Sequence, residues 1–339
     1  MMYRLRIEPS GHEMDIAPTE TILEATLRHG YALPYSCRAG TCATCKGKII
    51  NGSVDYGEVD AKMLTDDEIA QGFALFCQAT PLGDVTIEAK EVGAAAGIQI
   101  KTLPSRVARI VDLAPDVRAI FLQLPSTEEF HYLPGQYIDI LLKDGSRRGF
   151  SMASTPSPGG QLELHIKRVP GGRFTEQVFS TMKEKDILRF EGPLGTFFVR
   201  EDPEQRPLLM AATGTGFAPI KGMLQQLFAS SDPRPIYFYW GVRHPQDFYY
   251  QELLQEWQLR HSHFHLIQVV SRPDASWKGR CGYITDAILQ DFPTFGKFSA
   301  YLCGHPDMVF DLSAQLEKAG IDSQDIYADA FVFAKGKSS

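Results

Sequence analysis

Four of the six cysteines lie before residue 80, and their spacing carries a chemistry. Cys37, Cys42 and Cys45 have four and then two residues between them, and Cys77 follows after 31 more. Thiolates are soft ligands, and C-x4-C-x2-C…C is the plant-type spacing for ligating a [2Fe–2S] cluster. A zinc site would usually pair two CxxC-like knuckles, a form that Cys37 breaks and that the isolated Cys77 does not complete. Gly40 lets the loop wrap closely around a cluster. Ser36, Arg38, Ala39 and Thr41 are placed to aim backbone N–H groups at its sulfurs, which tunes potential. Of the other two cysteines, Cys281 reads as a packing residue. Cys303 ends a predicted strand just before Gly304.

Three other stretches have the composition of cofactor loops. Arg148-Gly149-Phe150-Ser151 falls on a predicted strand. Leu164-His165-Ile166-Lys167-Arg168 is followed by Gly171-Gly172-Arg173-Phe174-Thr175, where the glycines let backbone N–H groups approach a phosphate. Thr175 is the expected cap of a helix whose N-terminus faces that anion. Thr213-Gly214-Thr215-Gly216-Phe217-Ala218-Pro219 follows an apolar run and opens a helix. It is not G-x-G-x-x-G, because Pro219 takes the third glycine's place. Proline suits the first turn of a helix, and the loop still offers N–H groups to a pyrophosphate.

The elements that must position these loops fall into three segments. Residues 1–92 alternate as strands at 3–7, 47–50 and 85–89, around a short amphipathic helix from Thr21 to His29. That helix should be capped at Thr19 or Thr21 and stop at Gly30. Glu91 to Leu103, with its Gly-Ala-Ala-Ala-Gly, reads as a linker ahead of Pro104. Residues 103–203 hold short strands between Gly/Pro turns, at 105–113, 117–124, 136–142, 162–169 and 186–191, which predicts an antiparallel β-barrel. Residues 206–339 alternate strands (208–212, 236–239, 264–270, 299–303) with helices (218–228, 248–259, 284–289, 306–319). That predicts a doubly wound parallel α/β domain.

The loop Pro34-Tyr35-Ser36-Cys37-Arg38-Ala39-Gly40-Thr41-Cys42 strongly resembles that of oxygenase reductases, and the first segment resembles a β-grasp ferredoxin. Arg148-Gly149-Phe150-Ser151 resembles the R-x-Y-S motif of the ferredoxin–NADP reductase family. There the resemblance implies that Arg148 meets the FAD pyrophosphate, Phe150 covers the flavin and the Ser151 hydroxyl approaches its reactive nitrogen. Phe150 stands where the family has tyrosine. His165, Ile166, Lys167, Gly172, Arg173 and Thr175 resemble the second flavin segment. Cys303-Gly304-His305-Pro306 looks like the family's C-G-P-P, with His305 replacing proline, which implies that Cys303 and Gly304 lie near the nicotinamide together with Thr213, Gly214, Thr215 and Gly216. Ser271-Arg272 resembles a pair that grips the 2′-phosphate of NADPH, and Arg243 is a second candidate. Asp329-Ala330-Phe331-Val332-Phe333 resembles the ending of bacterial flavin reductases, with Phe331 near the flavin.

The order of modules is similar to oxygenase reductases and to the CDP-6-deoxy-3,4-glucoseen reductase family. It implies an NAD(P)H-dependent iron–sulfur flavoprotein oxidoreductase passing electrons from nicotinamide through FAD to the cluster and on to an oxygenase or dehydrase partner. Ser151 and Cys303 are the expected catalytic residues, and NADH is the favoured donor over NADPH. A free-flavin reductase would need no ferredoxin module. A non-enzymatic redox sensor would need no nicotinamide loop.

Composition bounds the rest. The 339 residues carry a net charge of −7, which argues against nucleic acid as a partner. The acidity is concentrated early: residues 1–92 hold 14 acids against 8 Lys or Arg, including Glu58, Asp60, Asp66, Asp67 and Glu68. No apolar run approaches the roughly 18 residues a membrane span needs. The start has no apolar signal-peptide core, so a cytoplasmic enzyme is expected. The longest apolar stretch, Ile236 to Val242, reads as a buried strand.

Overall fold

The computed structural model describes residues 2–157 and 159–332, so Phe333 lies outside the described residues. The chain forms two compact units, Met1–Gln99 and Ile100–Ser339.

In the first unit the strands are β1 (Tyr3–Glu8), β2 (His12–Ile16), β3 (Lys46–Asn51), β4 (Val54–Asp55), β5 (Phe73–Leu75), β6 (Thr80–Pro81) and β7 (Val85–Glu88). Five of them make one sheet in the order β2-β1-β7-β3-β5. The helices are α1 (Ile22–Arg28) and the short α2 (Asp66–Ala70). Thr21, not Thr19, caps α1, in a capping box completed by Glu24. Its buried side chains Ile22, Leu23, Ala25 and Thr26 supply the face that packs inward. An equivalent box joins Thr65 and Glu68 at α2.

The second unit contains two sheets. The first holds β8 (Lys101–Ala114), β9 (Val117–Gln123), β10 (Tyr137–Leu141), β11 (Arg147–Ser151), β12 (Gln161–Lys167) and β13 (Ile187–Leu194), with α3 (Arg173–Ser180) after β12. Every pairing is antiparallel in the order β11-β10-β13-β8-β9-β12. The bridge Met152↔Leu164 then joins the two ends. The sheet therefore curls into a barrel around Val107, Ile120, Ile138, Ile140, Leu164 and Phe190. The expected linker is shorter than 91–103, because β8 already begins at Lys101. Pro104 sits inside the strand without harm. It faces Arg189 on one side, and β9 pairing begins only at Arg106, so on the other side there is no ladder to break.

The second sheet is wholly parallel: β14 (Leu208–Thr213), β15 (Ile236–Val242), β16 (Phe264–Val270), β17 (Arg280–Cys281), β18 (Ser299–Gly304) and β19 (Ile326–Ala330), ordered β17-β16-β15-β14-β18-β19. Around it lie α4 (Phe217–Ala229), α5 (Gln251–Arg260), α6 (Ile284–Asp291) and α7 (Pro306–Lys318). Two apolar clusters, one including Trp240 and Phe217 and the other including Tyr239 and Leu302, involve alternate side chains of its strands. This is the pattern of a doubly wound sheet covered on both sides. Helix α5 starts at Gln251, not at 248, because Tyr250 takes a left-handed φ of 54° that a helix cannot contain. Cys281 is exposed rather than packed. It sits on the two-residue edge strand β17.

Candidate functional site

The four-thiol loop is held by the register of β3 against β5. Lys46, next to Cys45, faces Leu75, and Phe76 N donates to Cys45 O at 3.0 Å. That register brings Cys77 to Cys45 across the intervening residues. Gly47 makes the approach possible, because a Cβ there would stand 2.3 Å from the Phe76 ring. The loop turns through left-handed Arg38, Gly40 and Ala43, at φ 57°, 70° and 57°. Ala39 N and Thr41 N each donate to Cys37 Sγ at 3.4 Å, and Cys37 N donates to Cys42 Sγ at 3.5 Å. Gln78 Nε2 donates to Arg38 O and lies 3.6 Å from Cys77 Sγ. Interaction with Cys42, helped by Thr41 and Ala39, outweighs burial and draws the Cys37 thiol down to about 5. The sulfurs fall into two pairs, Cys37 with Cys42 and Cys45 with Cys77. Two pairs suit two irons that take two thiolates each.

The flavin stretch lies on β11. Arg148 and Phe150 share one face of the strand, and Phe150 packs 5.3 Å from Phe174 of α3. The Arg148 guanidinium donates to Arg147 O at 2.7 Å and, among the described residues, has no carboxylate partner. Its neighbour Arg147 pairs with Glu191, and Arg173 pairs with Asp144. Ser151 is buried, and its hydroxyl donates to Asp329 Oδ2 at 3.4 Å. Asp329, which opens the Asp-Ala-Phe ending, thereby joins the candidate site.

The second flavin segment differs from expectation in detail. Gly172 is the N-cap of α3, with no side-chain cap. Thr175 lies inside the helix, and its hydroxyl donates to Val169 O and Gly172 O while accepting from Val169 N. A Cβ at Gly172 would meet Thr175 Oγ1 at 2.5 Å, so this turn is built on glycine. Ile166 points into the barrel core, and Lys167 pairs with Asp116 at 2.8 Å. The His165 ring is fully engaged: Nε2 donates to Glu163 Oε1 at 2.8 Å and Nδ1 accepts from Tyr249 Oη at 3.1 Å.

The nicotinamide loops meet at the switch point between β14 and β18, where successive connections leave the sheet in opposite directions. Open α/β sheets bind ligands in that crevice. The loop Gly214–Gly216 runs from β14 into α4, whose first turn has no side-chain cap. Its N–H groups therefore suit an anion. A Cβ at Gly216 would stand 2.5 Å from Cys303 O, so the two loops touch through backbone. Gly304 has φ +122°, and a Cβ there would meet Thr213 Oγ1 at 2.4 Å. Thr213 Oγ1 accepts from His305 N at 2.8 Å, and His305 caps α7 ahead of Pro306. Burial pushes the Cys303 thiol well up, and nearby Asp329 adds to the shift, so the sulfur is neutral. Trp240, which the sequence reading passed over as a strand residue, donates from Nε1 to Gly214 O at 3.0 Å and fixes the loop. Phe331 N donates to Gly304 O at 2.8 Å. At the ends of β15 and β16, Arg272 N donates to Arg243 O at 2.8 Å, and both arginine side chains are exposed. Ser271 Oγ turns back onto Val242 O at 3.4 Å.

Comparison with known proteins gives the same three parts. Residues 5–82 match the 2Fe-2S iron-sulfur cluster binding domain, 104–199 the oxidoreductase FAD-binding domain and 210–313 the oxidoreductase NAD-binding domain. The chain is 36% identical over 335 residues to the CDP-6-deoxy-L-threo-D-glycero-4-hexulose-3-dehydrase reductase of Yersinia pestis, covering 99% of this chain and 100% of that protein. It is 34% identical to the reductase component of phenol 2-monooxygenase from Pseudomonas sp. strain CF600, covering 98% and 96%. The crystal structure of the Amycolatopsis cytochrome P450 reductase GcoB superposes with a TM-score of 0.82 at 32% identity, covering 97% of this chain and 98% of that one. The chain belongs to the family of iron–sulfur flavoprotein reductases, oxidoreductases that carry electrons from NAD(P)H through FAD to a [2Fe–2S] cluster.

Proposed function

We propose that this protein is the cytoplasmic reductase component of a two-part system, drawing electrons from NADH and delivering them singly to an oxygenase or dehydrase. Neither nucleic acid nor a membrane span enters this reading, and among the described residues no helix is long and apolar enough to cross a membrane. The observation that carries it is the meeting of a buried Ser151–Asp329 contact on the flavin barrel with the Gly216–Cys303 loop crossing, in a chain that also builds a four-thiol loop. The full-length likeness to reductases named for a dehydrase and for a phenol monooxygenase supports the kind of partner.

The division proposed is 1–92 for the cluster, 103–203 for FAD and 206–339 for the nicotinamide. FAD, when bound, accepts a hydride and releases electrons one at a time. This chain's residues supply its surroundings. Arg148 would offer a charge-assisted contact to the pyrophosphate, with Gly172 and Arg173 at the N-terminus of α3 alongside. Phe150 would supply apolar cover. Ser151 would present its hydroxyl to the reacting edge, and neutral Cys303 would give the nicotinamide a small, uncharged neighbour. Cys37, Cys42, Cys45 and Cys77 would hold the cluster. The test is NADH-dependent cytochrome c reduction with and without the cluster. A rate that survives cluster loss undiminished would favour free-flavin reduction instead. Absence of any NADH oxidation by holoprotein would favour a sensor.

A further inference from the structure

A set of charged and polar side chains meets in the interior where the flavin barrel packs against the nicotinamide sheet. Lys221, on the first turns of α4, is only 4% exposed. Its Nζ donates to Glu163 Oε2 at 2.7 Å and to Ala153 O at 3.0 Å. Glu163 Oε1 accepts from Tyr250 Oη at 2.7 Å and from His165 Nε2 at 2.8 Å. Tyr249 Oη completes the chain on His165 Nδ1. Replacing a buried ion pair with apolar side chains of similar size is often neutral or stabilising, so stability alone is a weak reason for this pair.

The backbone it touches suggests another reason. Ala153 lies two residues beyond Ser151, and its N–H donates to Glu163 O at 2.8 Å. Beside Lys221, Gly222 brings α4 so close that a Cβ would stand 3.1 Å from Ser154 O and 3.2 Å from Met152 O. Helix α4 begins at the Gly214–Gly216 loop. One helix thus carries the nicotinamide loop at its N-terminus and, a turn later, grips the strand end that holds Ser151.

We propose that Lys221 and Glu163 are a positioning pair that locks the Ser151–Ser154 segment to helix α4, so that the flavin and nicotinamide subsites keep one register. The proposal rests on the reading of Ser151 as a flavin contact. Neither residue is catalytic, since both act through Ala153.

The test compares Lys221→Met/Glu163→Met, Lys221→Met, Lys221→Arg and Ser151→Ala in the full-length protein. It measures thermal unfolding, FAD affinity of the apoprotein and flavin reduction by NADH in stopped flow. The double variant should still fold but unfold a few degrees below wild type, because both charges leave together while Tyr250 Oη and His165 Nε2 lose their acceptor. Its FAD affinity and limiting reduction rate should each fall about tenfold, the scale of one lost hydrogen bond to a charged group, with the NADH KM nearly unchanged. Lys221→Arg, which keeps a donor for Ala153 O, should recover most of the loss seen in Lys221→Met. Wild-type FAD affinity and rate in the double variant would overturn the proposal while leaving the Ser151 reading intact. So would equal behaviour of Lys221→Arg and Lys221→Met, the comparison that decides should the double variant not fold. Wild-type behaviour of Ser151→Ala would overturn the reading of Ser151 and the proposal with it.

Discussion

Gly216→Ala isolates the nicotinamide crevice with a single methyl group. Gly216 has φ −56° and ψ −15°, so alanine is conformationally allowed and helix propensity, if anything, favours it. The whole cost is steric. The new Cβ would stand 2.5 Å from Cys303 O and 2.8 Å from Cys303 C, both backbone atoms of the interior strand β18. A side chain could rotate away, but a strand flanked by β14 and β19 cannot. Overpacking of this kind costs about 1–3 kcal/mol. If all of it falls on the crevice, kcat/KM for NADH drops by roughly 5- to 150-fold at 1.4 kcal/mol per factor of ten. Unfolding of the second unit should drop by about 2–12 °C, at 2–4 °C per kcal/mol for a body of its size. The first unit should keep the visible absorption and EPR signal of its cluster, because residues 1–99 form a compact unit of their own. The assay is NADH-dependent ferricyanide reduction across NADH concentrations, alongside calorimetry. Wild-type kcat/KM with an unshifted transition would mean that the two loops part freely, and the argument that their backbone contact sets the crevice would be wrong.

Cys42→Ser should abolish the iron–sulfur absorption and the EPR signal of the reduced protein while NADH–ferricyanide activity survives; loss of both together would contradict independent units. Arg148→Ala should weaken retention of FAD, measured as flavin per chain after gel filtration, and FMN in the denatured supernatant would refute the FAD assignment itself. NADH should be the better donor, but Arg243 and Arg272 stand exposed at adjacent strand ends. Comparable kcat/KM with NADPH, lost in Arg272→Ala, would reverse that preference. Burial pushes the Glu163 carboxyl up, yet hydrogen bonding by His165 and the charge of Lys221 outweigh it and hold it at about 2. A depressed carboxyl contributes stability above its unfolded value near 4.3 and loses it as pH falls toward 2. The difference in unfolding free energy between wild type and Glu163→Gln should therefore shrink by about 3 kcal/mol across that window, and a constant difference would refute the assignment. Electron delivery to the partner should slow with salt, with flavin reduction as the internal control. Glu68 is engaged with Lys46 and the α2 cap, so the neutralising variant should change Glu58, Asp60, Asp66 and Asp67 only.

The parts of this protein that the sequence made legible are those whose chemistry needs a fixed spacing or a backbone conformation few residues allow. Cys37, Cys42 and Cys45 must wrap one cluster, so their separations are constrained along the chain. Gly214, Gly216 and Gly304 mark places where backbone meets backbone or φ turns positive, and any side chain there adds strain. Helix and strand periods located most of the parallel sheet for the same reason, since both faces of each strand are buried. Boundaries failed where a local conformation overrode the pattern, as at left-handed Tyr250 ahead of α5. They also failed where ladder geometry relieved a rule, as at Pro104 on the locally unpaired side of β8. Thr175 was misread as a cap because threonine near a glycine turn usually is one, whereas here the glycine itself holds the N-cap and the hydroxyl closes the turn from within. The Glu163–Lys221–His165–Tyr250 group was invisible for a deeper reason. Glu and Lys on amphipathic elements read as solvent-facing, and nothing local distinguishes a lysine that will meet its carboxylate from one that will meet water. Lys221 and Glu163 are 58 residues apart and belong to two different sheets' surroundings. Their pairing exists only once the barrel and the parallel sheet have packed. A feature made by the packing of two independently patterned layers leaves no period in either, which is why the coupling between the two cofactor subsites had to be read from the structure.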